Sequence, residues 1–136
     1  MDLKDRKPTE DAQPLDLIDP ETQTPLQDGD GKQCRIWLFG EDSERMQRRQ
    51  RELAAVRANA ARRTGEIILT PAQVERDRIE TAAICTHKME NVTYDGEPVS
   101  NQDQFRTVYR ELRWVLEQAE RFVADRRNFI KSQSSS

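Results

Sequence analysis

The clearest periodicity in the chain lies toward its C-terminal end, where Phe105, Val108, Tyr109, Leu112, Val115, Leu116, Ala119, Phe122 and Val123 recur at three- and four-residue steps. That spacing places them on one side of a helix and predicts one long core-facing helix there. Ser100 or Asn101 is positioned to cap it. Asp103 falls in its first turn, where the partial positive charge of a helix start favours a carboxylate. Upstream, Thr70-Pro71-Ala72-Gln73 is a capping-box pattern with proline at the first helical position, which predicts a second helix over about residues 71–90. Val74, Ile79, Ala82, Ala83, Ile84 and Met89 supply its apolar side. A further helix is predicted over about residues 43–63, after Gly40 and a cap at Asp42 or Ser43. Its apolar stripe is only Met46, Leu53, Val56 and Ala60, so propensity supports it more than burial and its anchoring is weak.

The N-terminal third reads differently. Leu15-Asp16-Leu17-Ile18 and Cys34-Arg35-Ile36-Trp37-Leu38-Phe39-Gly40 are short β-prone runs, separated by the turn-forming groups Asp19-Pro20-Glu21-Thr22 and Asp28-Gly29-Asp30-Gly31. They predict a small antiparallel β unit with Leu26 tucked under the connection. Asp95-Gly96, between Val92 and Val99, is a tight-turn signature. The fold class is therefore mainly α (α+β), three helices with a small N-terminal antiparallel β unit. Residues 1–14 are too polar to offset ordering entropy and read as a disordered tail. Residues 15–130 form one domain, and residues 131–136 a flexible tail. Thr64-Gly65-Glu66-Ile67-Ile68-Leu69 suits either a plain connection between two antiparallel helices or a short strand.

Composition narrows the function. Of 136 residues, 35% are charged and only 6% aromatic, which leaves a small core reserve and disfavours a large catalytic domain with a deep pocket. The apolar runs Ile67-Ile68-Leu69 and Ile36-Trp37-Leu38-Phe39 are far shorter than the roughly 18 residues of a membrane span. The start shows no apolar secretory segment, and two cysteines make no disulfide framework, so a reducing cytoplasm is expected. The net charge of −3 conceals alternation: residues 1–31 are net −6, 44–63 net +5, 71–104 net −4 and 105–136 net +3. Opposite patches of this kind serve self-association or docking to a partner.

Candidate chemistry is sparse. Cys85 and His87 stand two apart, and Cys34 is the only other soft ligand, short of the four Cys or His of structural zinc. Cys85 lies within the predicted second helix with no orienting third group, so a Cys/His nucleophile is not supported. The five glycines build no phosphate-binding loop. No catalytic residue, metal ligand or cofactor is expected. Arg45, Arg48 and Arg49 share one helical face that Glu52 interrupts. The absence of interleaved aromatics and the acidic chain disfavour nucleic acid and favour a protein partner. Trp114, between the core positions Leu112 and Val115, is a candidate interface anchor.

Several segments together resemble the small tail assembly chaperones of tailed bacteriophages and prophages. They are Asp19-Pro20-Glu21-Thr22-Gln23-Thr24-Pro25-Leu26, then Leu38-Phe39-Gly40-Glu41-Asp42-Ser43 leading into an Arg/Ala-rich helix, then Ala83-Ile84-Cys85-Thr86. Tyr94-Asp95-Gly96-Glu97-Pro98 follows, and the match closes with Glu117-Gln118 and Asp125-Arg126-Arg127-Asn128-Phe129. The resemblance covers most of residues 15–130 in order. Where these proteins often carry a tryptophan shortly after the position of Thr86, this chain has Lys88 and Met89. The resemblance implies a non-enzymatic protein of the bacterial host cytoplasm that binds the tape measure protein and recruits tail tube subunits onto it, often with a frameshifted longer form. Expected anchors for such a client are Trp37, Phe39, Tyr109, Trp114 and Phe129, with Arg48, Arg49 and Arg127 as steering charges. The alternatives are a structural virion protein of the tail or connector, and a phage-encoded inhibitor or regulator acting through its Arg-rich helix.

Overall fold

The computed structural model describes residues 1–66 and 69–130. Strand β1 (Gln13–Asp16) pairs antiparallel with β2 (Arg35–Leu38), as the two β-prone runs predict. The sheet has a third strand, however: β3 (Thr86–Glu90) pairs antiparallel with β2 on its other side, giving the order β1-β2-β3. The β unit is thus not confined to the N-terminal region, and the predicted second helix stops short of residue 90. Helix α2 spans Pro71–Cys85 and passes directly into β3. Thr86 adopts an extended backbone there, and its hydroxyl donates to the Ala82 carbonyl at 2.8 Å, occupying an acceptor near the helix end.

Helix α1 spans Glu44–Thr64, capped by the Ser43 hydroxyl at its start and closed by Gly65 in the left-handed conformation (φ 79°). Met46 is its one buried residue, in keeping with its thin stripe. Arg49 reaches Thr81 and the Asp77 carbonyl, and Arg57 reaches the Asp77 carboxylate, so α1 lies antiparallel beside α2. Thr70 caps α2 by accepting from the Gln73 N–H, with Pro71 in the first turn. Ile67 and Ile68, on which the alternative of a short strand depends, lie outside the described residues, as does the segment 131–136.

The short strands β4 (Thr93–Tyr94) and β5 (Glu97–Pro98) form the hairpin expected around Asp95-Gly96. Both turn residues have positive φ, 52° and 79°, the conformation that glycine adopts freely and aspartate tolerates. The predicted last helix is two helices, α3 (Gln102–Glu111) and α4 (Arg113–Ala124), parted at Leu112 with φ −121° and ψ 85°. Asn101 caps α3 in a complete capping box with Gln104. Among the described residues the fold thus has four α-helices rather than three, with a three-stranded antiparallel sheet, and no helix is long and apolar enough to cross a membrane.

The core lies between the inner face of the sheet and the helices, with Ile36, Leu38, Ala83 and Leu116 wholly enclosed. Tyr109 is buried with them, its hydroxyl 2.7 Å from Thr86 Oγ1. Because the Thr86 hydrogen already serves the Ala82 carbonyl, Tyr109 is the donor in this pair, and both buried hydroxyls are satisfied. The stretch 1–14, expected as a tail, carries a 3-10 turn at Leu3–Arg6 and the start of β1. It also meets the far end of the chain: Pro8 bridges Ile130, and the Thr9 N–H donates to the Phe129 carbonyl at 2.7 Å.

Candidate partner-binding face

Along β2 the residues alternate: Ile36 and Leu38 point into the core while Trp37 and Phe39 stand half-buried on the opposite side. Pairing sets two rows across that outer face, Pro14–Trp37–Lys88 and Asp16–Arg35–Glu90. The second row pairs its charges within itself, Arg35 lying 2.7 Å from Asp16 and 3.9 Å from Glu90. The first row does not. Lys88 Nζ sits 5.1 Å from the centre of the Trp37 ring, and the indole N–H donates to Glu90 at 3.2 Å.

Phe39, one residue beyond β2, is held by its backbone N–H, which donates to the Cys85 carbonyl at 2.8 Å. Its ring receives the Arg45 guanidinium at 4.4 Å and the edge of His87 at 5.8 Å. Each cation rests against the electron-rich face of a ring, an attraction of about 0.5–1 kcal/mol at exposed sites. Arg48 stands one turn along α1. With Phe39, Arg45, Arg49 and Ile84 it lines a concavity of about 480 Å³, rimmed by Glu10, Glu44 and Glu52. Glu10 accepts from the Glu44 N–H at the head of α1, and Glu44 is paired with Arg51. Among the described residues Arg45, Arg48 and Lys88 have no carboxylate within ion-pair distance. The face therefore combines two aromatic rings with three cations that stand outside any ion pair among the described residues.

Of the residues expected to meet a partner, the structure gathers Trp37, Phe39 and Arg48 here. Tyr109 and Phe129 are not surface anchors: they are 1% and 3% exposed and belong to the core. Both sit on the apolar side of their segments, so the fold uses them to close itself. Arg49 turns inward, Nε donating to Thr81 at 3.0 Å, and serves as a tether between α1 and α2. Trp114 is half-buried elsewhere, beside Leu15, Ile18 and Phe122 on a separate cavity of about 600 Å³. Arg127 lies beyond α4, forked onto both oxygens of Asp125 at 3.0 and 2.7 Å. Arg45, part of the arginine face read from the sequence, completes the site together with His87 and Lys88, which were not singled out as partner residues. The signal for the latter two was the extended character of Thr86–Glu90, hidden when Met89 was read as continuing a helical stripe.

The soft ligands do not converge. Burial pushes the Cys85 thiol up to about 11, and its Sγ lies 3.9 Å from Met46 Sδ, while His87 is exposed on β3. Burial also raises the Cys34 thiol, which lies 3.1 Å from the Asn91 carbonyl. Among the described residues no group of three or more His, Cys, Asp or Glu side chains is placed to hold a metal ion. Comparison with protein-family models, with curated proteins and with solved structures found no match.

Proposed function

We propose that this protein is a non-enzymatic assembly chaperone of phage tails, binding the tape measure protein and recruiting tail tube subunits onto it in the cytoplasm of the bacterial host. One observation carries the reading: segments that resemble that family in sequence, though far apart in the chain, are the joints of the fold. Leu38–Ser43 packs on Asp125–Phe129, with the Arg126 guanidinium on both oxygens of Asp42 at 2.7 and 3.2 Å and the Phe129 ring against Gly40. The turn after β1 is locked to Glu117-Gln118, because the Gln118 amide both accepts from the Ile18 N–H and donates to its carbonyl. Ala83–Thr86 ties Phe39 to Tyr109 through the two hydrogen bonds already described.

The face around Trp37 and Phe39 supplies what a reversible client contact needs, apolar anchors for residence time and cations outside any ion pair among the described residues for association rate. Co-purification of tagged protein from phage-producing cells tests the assignment. Recovery of tape measure and tube proteins, with this chain missing from finished virions, is the expected result. Persistence of the chain in virions would make it a structural component instead. Recovery of host proteins alone would favour the inhibitor or regulator, a reading to which the unpaired cations of α1 also lend themselves. A Trp37→Ala, Arg48→Glu variant is expected to fold normally and to lose most of the client at moderate salt.

A further inference from the structure

The two ends of the sheet carry opposite charge. Because β1 and β2 pair antiparallel, the connection 17–33 that joins them lies at one end, while Phe39 and the head of α1 lie at the other. Between them runs the length of β2, about 13 Å at roughly 3.3 Å per residue. The connection holds Asp19, Glu21, Asp28 and Asp30 against Lys32, a net charge of −3. Among the described residues none of these four acids is in an ion pair. The connection is held in shape by its own backbone. Asp19 Oδ1 accepts from the Glu21 N–H at 2.9 Å, Asp28 Oδ1 accepts from the Asp30 and Lys32 N–H groups at 2.8 and 2.9 Å, and Ile18 bridges Pro25. Glu21 and Asp30 are left exposed, and so are Pro20 and Pro25. At the far end Lys88 and Arg45 rest on the rings of Trp37 and Phe39, with Arg48 beside them. Of the three rim acids there, Glu10 caps α1 and Glu44 pairs with Arg51, which leaves Glu52.

We propose that a second copy of this chain docks head to tail on the first, the acidic connection of one copy seated on the face of cations and rings of the next. Charge complementarity selects this occupant, because acids and cations that lack ion-pair partners stand at opposite poles of one molecule. The surfaces also match in kind. Asp19-Pro20-Glu21 sets a proline ring between two carboxylates, and the face sets two aromatic rings among three cations. Proline on an aromatic surface is the contact by which proline-rich segments dock in aromatic-lined grooves. Within one molecule the poles are kept apart by the sheet itself, so only another copy brings them together. The two surfaces differ, which makes the contact heterologous, and a dimer still has one pole of each kind to offer. The inference goes beyond the assignment to tail assembly: it gives the face a second occupant, one that competes with a client for Trp37 and Phe39.

Sedimentation velocity of the purified full-length chain tests it. In about 50 mM salt the mean mass is expected to rise with protein concentration, and in about 0.5 M salt, where charges are screened within a few ångströms, to return to that of the monomer. Two variants at exposed positions separate the poles. One carries Glu21→Lys and Asp30→Lys, the other Arg45→Gln, Arg48→Gln and Lys88→Gln. Each alone is expected to keep its melting temperature and to stay a monomer in low salt. Mixed in equal amounts, they are expected to form a one-to-one dimer and nothing larger, because each retains the pole that the other has lost. An unaltered chain that stays monomeric in low salt, association that survives in either variant alone, or a mixture without dimer would overturn the proposal. The measurement needs no client, so its failure leaves the co-purification test untouched.

Discussion

Helix α1 and the pair α3–α4 are both studded with arginine, yet they relate to the rest of the molecule in opposite ways. In α3–α4 a continuous apolar stripe is buried, and the arginines beside it reach carboxylates on α2. Arg106 holds Glu80 at 2.6 and 3.2 Å, and Arg113 reaches Glu75 at 3.1 Å. In α1 one residue is buried and only Arg49 and Arg57 reach α2, while Arg45 and Arg48 face outward with no carboxylate within ion-pair distance among the described residues. Whether an arginine holds the fold together or remains available to a partner is thus decided by what stands across from it. Composition is blind to this, because α1 contains acids too. Its Glu44 pairs within its own helix, whereas Glu75 and Glu80 of α2 are bridged by other helices.

The largest test of this contrast is truncation. Leu116→Ala, at a wholly buried position of α4, should cost about 2–5 kcal/mol in urea unfolding, and Val56→Ala on α1, 65% exposed, should stay within about 0.5 kcal/mol. Comparable losses at the two sites would end the distinction. A smaller effect is expected at the joint between β2 and the C-terminal segment. A Cβ on Gly40 would lie 2.8 Å from Phe129 Cγ, so Gly40→Ala should destabilise by about 1–3 kcal/mol, read as a lower melting temperature. The smallest is electrostatic. Hydrogen bonding to Arg106 holds the Glu80 carboxyl below its ordinary range. That contribution to stability is present above the unfolded value of about 4.3 and is lost as pH falls through the lower folded value. Since about a third of each side chain is exposed, Arg106→Met should cost only about 0.5–1 kcal/mol at neutral pH. It should also flatten the acid limb of the stability curve; an unchanged limb would mean that the pair does not bridge α3 to α2 in solution.

The cap at Thr70, the narrowing of two further caps to Asp42 or Ser43 and to Ser100 or Asn101, the turn at Asp95-Gly96 and the pairing of the two N-terminal β runs were legible because each rests on local chemistry. Strand β3 was not. Ala82, Ala83, Cys85 and Met89 continue a plausible helical stripe, and only pairing with β2, some fifty positions away, makes Thr86–Glu90 extended. The break at Leu112 left no mark either, since neither proline nor glycine stands there and the apolar positions resume in phase on the far side. Of the candidate face, Trp37, Phe39 and Arg48 were legible as single residues. That they stand together with Arg45, His87 and Lys88 follows from the register of β2 against β3 and from the entry of α1 just after β2. Tyr109 and Phe129 show the converse: a large aromatic on an apolar stripe is first of all a core residue, and here they close the strand–helix junction and the meeting of the two chain ends.

The bond from Thr9 to the Phe129 carbonyl joins almost the first residues of the fold to almost the last. Synthesis proceeds from the N-terminus at about 5–20 residues per second, so Thr9 waits on the order of ten seconds before its acceptor exists. Strands β1 and β2 can pair well within that time, but the surface of Gly40 that receives the Phe129 ring stays bare until the end of the fold leaves the ribosome. A nascent chain therefore carries an uncovered apolar shoulder beside Phe39 until the segment Arg126–Phe129 has been made and can seal it.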